Sequence, residues 1–259
     1  MPGRAGKPAA VRRSVGCSYA ASVTAGVVWR PVELRDGGWE RPREALGAAA
    51  GPGLWLVRAD AFQSVVNRLA DSVLDSTETG RAAALRQARD RDTYRAGHVG
   101  LRLLLGAYLG VPPVDVPLER LPCPLCEEPH GRPVVRGNPV HFSLSHSGGL
   151  CLLAFASTPV GVDIEAIPDA AVAEEVGACL HPRESAELSD FRAEDRPAAF
   201  ARAWARKEAY LKGLGTGLGR AMSLDYVGTA RDAAATLPGW TIGDVAVDDG
   251  FAAAVAVQG

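Results

Sequence analysis

The stretch VGVDIEAI, residues 160–167, decides how the second half of the chain is read. Val160, Val162 and Ile164 fall on one side of a period-two alternation, and Asp163 and Glu165 fall together on the other. The pattern predicts a core strand with two carboxylates on one face. Like charges so placed repel, and burying either one without a partner is costly. The pair therefore calls for a cation or a set of hydrogen-bond donors.

Just upstream, VHFSLSHSGGLCLLAFAS reads as a hairpin, two β-rich runs joined by Gly148 and Gly149, the two-residue connection that primed turns prefer. TPVGVDIE follows at once, so its strand is expected beside the hairpin in a meander. Downstream, EDRPAAFARAWARKEAYLKGLGTGLG predicts an amphipathic helix with Asp195 as N-cap and Phe200, Trp204, Leu211 and Leu214 on its buried stripe. SLDYV, WTIGDVAV and FAAAVAV are expected to close the chain as strands. Earlier still, LWLVRAD predicts a strand and FQSVVNRLADSVL a helix. Residues 75–113 predict a long helical region of one or two helices, with Ser76 or Thr77 as N-cap and a stop at Gly110, Pro112 and Pro113. There Leu101, Leu104, Leu105 and Tyr108 should face the core, while Arg91, Arg95, His98 and Arg102 form a second, basic face. On spacing alone that face is equally a solvated one. Helices and hairpins occur in both halves, which indicates α+β architecture.

The chain has 259 residues, 47% of them hydrophobic, enough for one large domain or two packed halves. No apolar run is long enough for a spanning helix. A net charge of −2, from 28 basic and 30 acidic residues, offers no electrostatic argument for duplex DNA or an anionic membrane surface. Any phosphate binding must be local. Five cysteines, an odd number, fit a reducing compartment better than a disulfide framework. Cys17, Cys151 and Cys179 read as small buried thiols. Cys123 and Cys126 in CPLCEEPH, with His130, supply three candidate zinc ligands, although no second CxxC completes the site and only His141 lies near in sequence. Residues 1–53, rich in Gly, Pro, Ala and Arg, read as a largely disordered extension. Arg12 and Arg13 before a weakly apolar run faintly resemble a twin-arginine signal. Polar interruptions and the lack of a clean cleavage site argue against export, and a start codon placed too early accounts for the stretch equally well.

In WARKEAYLK, Glu208 and Lys212 are four apart on one helix face. As an exposed pair they contribute only a few tenths of a kcal/mol, roughly. If the helix packs beside the carboxylate strand, Glu208 joins Asp163 and Glu165 as a third oxygen donor, and such a set suits a hard divalent cation such as Mg²⁺. Lys212 would then balance charge on a phosphate. Ser145 and His146 are adjacent on a strand and point to opposite faces, which makes a direct nucleophile–base pair geometrically poor. Donation to phosphate is the better use of SLSHS. Arg132, in HGRPVV, is a further candidate anion contact.

These four blocks, GRP, SLSHS, GVDIE and WARKEAYLK, in this order and spacing, resemble the Sfp-type 4′-phosphopantetheinyl transferases, and the resemblance runs from about Leu54 to near the C-terminus. It implies a pseudo-dimer of two similar α+β halves, here 54–157 and 158–259, with coenzyme A in the cleft between them. By position, Asp163, Glu165 and Glu208 resemble the Mg²⁺ ligands, and Lys212 the lysine near the transferred phosphate. Ser145 and His146 resemble coenzyme A phosphate contacts. Arg132 stands where the family usually has the lysine of GKP, which keeps the charge but not the geometry. Arg89 or Arg91, with Arg102, resemble the 3′-phosphate region. Glu184, in LHPRE, resembles a family acid whose role is open between general base and structural partner.

The implied activity is Mg²⁺-dependent transfer of 4′-phosphopantetheine from coenzyme A to a serine of an apo acyl or peptidyl carrier protein. Fatty acid, polyketide and nonribosomal peptide synthesis all use such carriers. The base could be Glu208, Glu184 or metal-bound water. The alternatives are a Mg²⁺-dependent coenzyme A pyrophosphohydrolase and a non-catalytic coenzyme A-binding module. A cytoplasmic monomer, with no nucleic acid or membrane partner, is expected.

Overall fold

A computed structural model describes residues 28–40, 51–128, 131–231 and 237–259. Arg12, Arg13, Cys17 and His130 lie outside the described residues. In chain order the elements are β1 (Val32–Glu33), β2 (Gly53–Arg58), α1 (Gln63–Val73), α2 (Ser76–Ala84), α3 (Ala88–Leu109), β3 (Leu118–Arg120), β4 (Pro133–Val135), β5 (His141–Ser147) and β6 (Leu150–Ala156). They are followed by β7 (Val160–Ala166), α4 (Ala170–Gly177), α5 (Pro182–Asp190), α6 (Arg196–Leu214), β8 (Trp240–Asp244) and β9 (Phe251–Gln258). No described helix is long and apolar enough to cross a membrane.

The predicted hairpin forms in register, with His146 opposite Cys151 and Ser147 opposite Leu150. Its turn needs left-handed backbone at both central residues, and Gly148 (φ 56°) and Gly149 (φ 87°) supply it. The 75–113 region divides into α2 and α3, and Asp75 rather than Ser76 or Thr77 is the cap. Its side chain accepts from the Glu78 amide while Glu78 reaches back to the Asp75 amide.

Two sheets carry the fold. One has the order β1-β2-β6-β5 and the other β7-β9-β8. In each, a strand is followed by helices and then by two more strands, the last of which inserts between the other two with antiparallel pairing. Between the sheets lies a shared core that includes Leu54, Leu56, Leu152, Val160, Val162, Ile164 and Val255. Each large aliphatic side chain buried there contributes about 1.5–3 kcal/mol. A second core packs α1 and α3 on the outer face of β2 and β6, and a third packs α6 on β8 and β9.

Cys179, expected as a buried thiol, is exposed, and three expectations about the elements also need correction. β7 does not extend the hairpin sheet as a meander strand; it pairs with β9, because Asp163 faces Ala254 and Val162 faces Val255 across that ladder. Its link to the hairpin runs through serine side chains instead. Residues 223–227, SLDYV, form turns and loop rather than a strand, since the Val227 amide donates to Glu184 Oε1 at 2.7 Å instead of to a neighbouring strand. Finally, residues 28–40 of the presumed extension are built into the fold. β1 pairs in parallel with β2, the Trp29 amide donates to Asp244 O at 2.8 Å, and Leu34 is buried in the core. Their apolar residues, Trp29, Val32, Leu34 and Trp39, are what the Gly/Pro-rich surroundings obscure.

Candidate active site

β7 is buried on both faces through Ile164, which accounts for its mixed pattern. The valine face meets the other sheet, and the carboxylate face meets α6. The approach is close because both partners are glycine at the contact. A Cβ on Gly161 would stand 2.0 Å from Ala209 O and 2.4 Å from Gly213 N. A Cβ on Gly213 would stand 2.5 Å from the Trp240 ring. The helix therefore lies against the strand, with Glu208 and Lys212 beside the β7 carboxylates.

Lys212 does not pair with Glu208 as an exposed i,i+4 bridge. Its Nζ donates to Asp163 Oδ1 at 2.6 Å and to Ser145 Oγ at 2.9 Å, while Ser145 Oγ donates to the same Oδ1 at 2.7 Å. Asp163 is 1% exposed, and its other oxygen, Oδ2, is buried with no hydrogen-bond partner. Burial, with Asp163 beside it, pushes the Glu165 carboxyl up to about 7, despite a hydrogen bond from Ser147. Burial and Asp163 likewise raise the pKa of Glu208, against the pull of Lys212. Three carboxylates thus share one ammonium in a poorly solvated place. This surplus of negative charge and the orphaned Oδ2 fit a small divalent cation. As the side chains stand, Lys212 is the cation on Asp163, and among the described residues no three His, Cys, Asp or Glu side chains form a ready-made ion cage.

The serines of SLSHS face β7 at every second residue. Ser143 Oγ accepts from the Val162 amide and Ser147 Oγ from the Ala166 amide, both at 3.1 Å, and Ser145 holds Asp163 between them. Ser145 is buried and His146 exposed, as the alternation requires. Ser145 is therefore occupied with Asp163 and Lys212.

Next to this cluster lies a cavity of about 670 Å³ whose wall includes Lys212, Arg132, Arg120, Ser143 and His98. Arg132 reaches it from the β3–β4 loop and donates to Gly213 O at 2.8 Å, tying that loop to the end of α6. Gly215 ends the helix at φ 83° beside the Arg132 side chain, and the glycine-rich turn after it also lines the cavity. Arg89 belongs to a different cavity of about 650 Å³, where it donates to Gly148 O at 2.7 Å.

Arg102 and Arg91, from the predicted basic face, are engaged elsewhere. Arg102 is 2% exposed, with Glu78 Oε2 and Asp75 Oδ2 both at 2.6 Å and the carbonyls of Pro113 and Val114 at 3.2 and 3.4 Å. It joins the start of α2 to the segment after α3 and presents no donor for a phosphate. Arg91 donates to Leu85 O at 2.8 Å and Arg86 O at 3.1 Å, satisfying carbonyls after α2. Glu184, left open above between base and structural partner, is fully buried. It accepts from Lys207 Nζ at 2.7 Å and from the amides of His181, Val227 and Gly228 at 3.1, 2.7 and 3.2 Å. Four donors leave it no lone pair directed at a substrate.

Sequence reading overlooked Arg206 and Lys207 in α6. Arg206, 0% exposed, forms a bidentate pair with Asp244, both contacts at 2.7 Å, and Lys207 holds Glu184. The signal available was two adjacent cations inside a helix whose opposite faces are both apolar.

Comparison with known proteins gives a consistent result. The family model described as the 4′-phosphopantetheinyl transferase superfamily matches residues 159–238, the segment that contains β7 and α6. The 4′-phosphopantetheinyl transferase HetI of Nostoc sp. is 32% identical over 214 residues, 80% of this chain and 87% of the relative. The 4′-phosphopantetheinyl transferase psf-1 of Bacillus pumilus is 39% identical over 113 residues, 42% of this chain and 47% of the relative. Sfp of Bacillus subtilis is 33% identical over 93 residues, 34% of this chain and 40% of the relative.

Proposed function

Because the chain belongs to the 4′-phosphopantetheinyl transferase superfamily, we propose that it moves 4′-phosphopantetheine from coenzyme A to a serine of an apo acyl or peptidyl carrier protein, with Mg²⁺ as cofactor. We read the repeated strand order of the two sheets as a pseudo-dimer whose reaction site lies where β5, β7 and α6 meet. The observation that carries the reading is the excess of carboxylate over ammonium there, beside a cavity walled by Lys212, Arg120 and Arg132. A diphosphate with a divalent cation satisfies both halves of that charge pattern, and neither half alone does.

Asp163, Glu165 and Glu208 would hold the Mg²⁺, with Asp163 Oδ2 as the oxygen that Lys212 leaves available. When bound, the ion neutralises charge on the diphosphate as it grows toward the transition state. Lys212 donates to a phosphate oxygen, and Arg132 and Arg120 bind anionic groups further along the cavity. In the step itself the carrier serine oxygen attacks the β-phosphorus. The bond from that phosphorus to the bridging oxygen breaks, and 3′,5′-ADP leaves with the electron pair. The serine proton passes to a carboxylate of the site or to water. Glu184, with all its acceptor positions filled, is a support for α6 in this reading and not the base.

The test is incubation with coenzyme A, Mg²⁺ and an apo carrier, followed by mass spectrometry of the carrier. A gain of one phosphopantetheine is expected. Cleaved coenzyme A with an unmodified carrier would indicate a pyrophosphohydrolase, and bound but intact coenzyme A a binding module.

A further inference from the structure

Two cations on α6 reach the same face of the β7-β9-β8 sheet. Asp163 stands opposite Ala254, and Ala254 opposite Asp244, so the two aspartates lie in one row with an alanine between them. Residues directly opposite in antiparallel strands point to one face, and here it is the face that α6 covers. Lys212 holds Asp163 at 2.6 Å, and Arg206 holds Asp244 at 2.7 Å.

The two cations straddle the helix's line of contact with the sheet. Ala209, whose carbonyl lies against Gly161, is three residues from each of them. At about 100° per residue, Arg206 and Lys212 project roughly 60° to opposite sides of Ala209. Six residues of helix span about 9 Å, and the outer two of three adjacent strands lie about 9.6 Å apart. The two lengths match, so α6 cannot roll or slide without loosening one of the pairs.

The pairs differ in how completely they are closed. Arg206 is 0% exposed, and its guanidinium contacts both Asp244 oxygens at 2.7 Å and the carbonyls of Gly228 and Ala230 at 2.9 and 3.0 Å. Asp244 is held from its backbone as well, where its carbonyl accepts from the Trp29 amide at 2.8 Å. Lys212, by contrast, shares Asp163 with Ser145, and Asp163 Oδ2 has no partner. In the transfer reaction proposed above, Lys212 turns a donor to a phosphate oxygen and loosens its hold on Asp163. The Arg206 pair is then the one that stays closed.

We propose that Arg206, through its two-pronged contact with Asp244, is a positioning residue for the transfer reaction. It fixes the roll and register of α6, and so keeps Glu208 and Lys212 against Asp163 while substrate is bound. Setting register is the best-attested use of a buried ion pair, which by itself adds little to stability. The inference rests on the transferase reading and adds to it a residue that touches neither metal nor substrate.

The test compares the full-length parent with Arg206→Lys and Asp244→Asn, at a temperature where circular dichroism shows each folded. Arg206→Lys keeps the charge against Asp244 and loses the fork, and Asp244→Asn keeps the shape and loses the charge. Mg²⁺ affinity, from calorimetry with coenzyme A and no carrier, should fall about tenfold in both, and kcat for carrier modification with it. Arg196→Lys is the comparison for a purely structural arginine of α6, since Arg196 donates to Leu188 O and Phe191 O at 3.0 and 3.3 Å. It should lower Tm without moving Mg²⁺ affinity. Parental Mg²⁺ affinity and kcat in Arg206→Lys would overturn the proposal, whatever the Tm. An Arg206→Lys chain that does not fold would also overturn it, since the pair would then be a requirement of the fold. A parent that modifies no carrier overturns the transferase reading and this inference together; an active parent matched by its variants overturns the inference alone.

Discussion

Asp163 is the residue on which the reaction site turns, since it joins β5 through Ser145, α6 through Lys212, and retains one unpartnered buried oxygen. Asp163→Asn keeps the shape and removes the charge. Carrier modification should fall at least a hundredfold while circular dichroism stays that of the parent, and transfer at the parent's rate would remove Asp163 from the site. Arg102 gives the opposite expectation. Arg102→Met strands the buried Glu78 carboxylate, which should cost about 3 kcal/mol, or roughly 6–12 °C in Tm. The KM for coenzyme A should be unchanged, whereas a rise in KM without loss of Tm would restore Arg102 as a phosphate contact. His98 is held neutral, its pKa lowered to about 4 by burial and then by the nearby His146, Arg81 and Arg102 charges, against a hydrogen bond to Tyr94 O. In the unfolded chain it binds a proton below about 6.5. The unfolded state therefore takes up more protons between pH 6.5 and 4, and stability falls as the pH falls through that window. Thermal melts should show His98→Gln losing less Tm than the parent between pH 7 and 5; parallel losses would mean that His98 does not report this linkage.

Among the elements, α6 and β7 are the pair whose contact makes a site of separate motifs. Gly161→Ala introduces a methyl where Ala209 O stands 2.0 Å away, a backbone clash that no side-chain rotation relieves. A loss of about 1–3 kcal/mol is expected, together with a larger loss of transfer than the stability change explains, since strand and helix must move apart. Gly80→Ala in α2 is the control. Its Cβ meets nothing within 4 Å, and Tm should hold or rise. If both substitutions behave alike, the close approach of β7 to α6 is not the cause. The element pattern also explains why α6 was only partly legible. Its apolar stripe of Phe200, Leu211 and their neighbours marked a helix, but Arg206 and Lys207 are buried too. Their partners, Asp244 and Glu184, are 38 and 23 residues away, and periodicity along one helix carries no information about them.

At the scale of the whole molecule, the two sheets meet through an apolar core and along a row of serines. Ser143→Ala together with Ser147→Ala leaves the Val162 and Ala166 amides without their side-chain acceptors. The buried Val162 amide alone should cost about 1–3 kcal/mol. Hydrogen exchange at Val162 should accelerate well before exchange in the β5–β6 hairpin, and uniform acceleration would mean that the serines do not form the seam. Local chemistry in the sequence determined the hairpin with its Gly148–Gly149 turn, the strand at 160–166, the long final helix and the carboxylates on one strand face. Each follows from alternation, helical spacing or backbone freedom within a few neighbours. Only the tertiary structure decided that β7 leaves the hairpin sheet, that residues 28–40 belong to the fold, and that Arg102 and Glu184 are consumed by internal ion pairs. Those outcomes depend on which distant group fills a lone pair or covers a face. That is a property of packing in three dimensions, and a residue's own neighbours in the chain do not encode it.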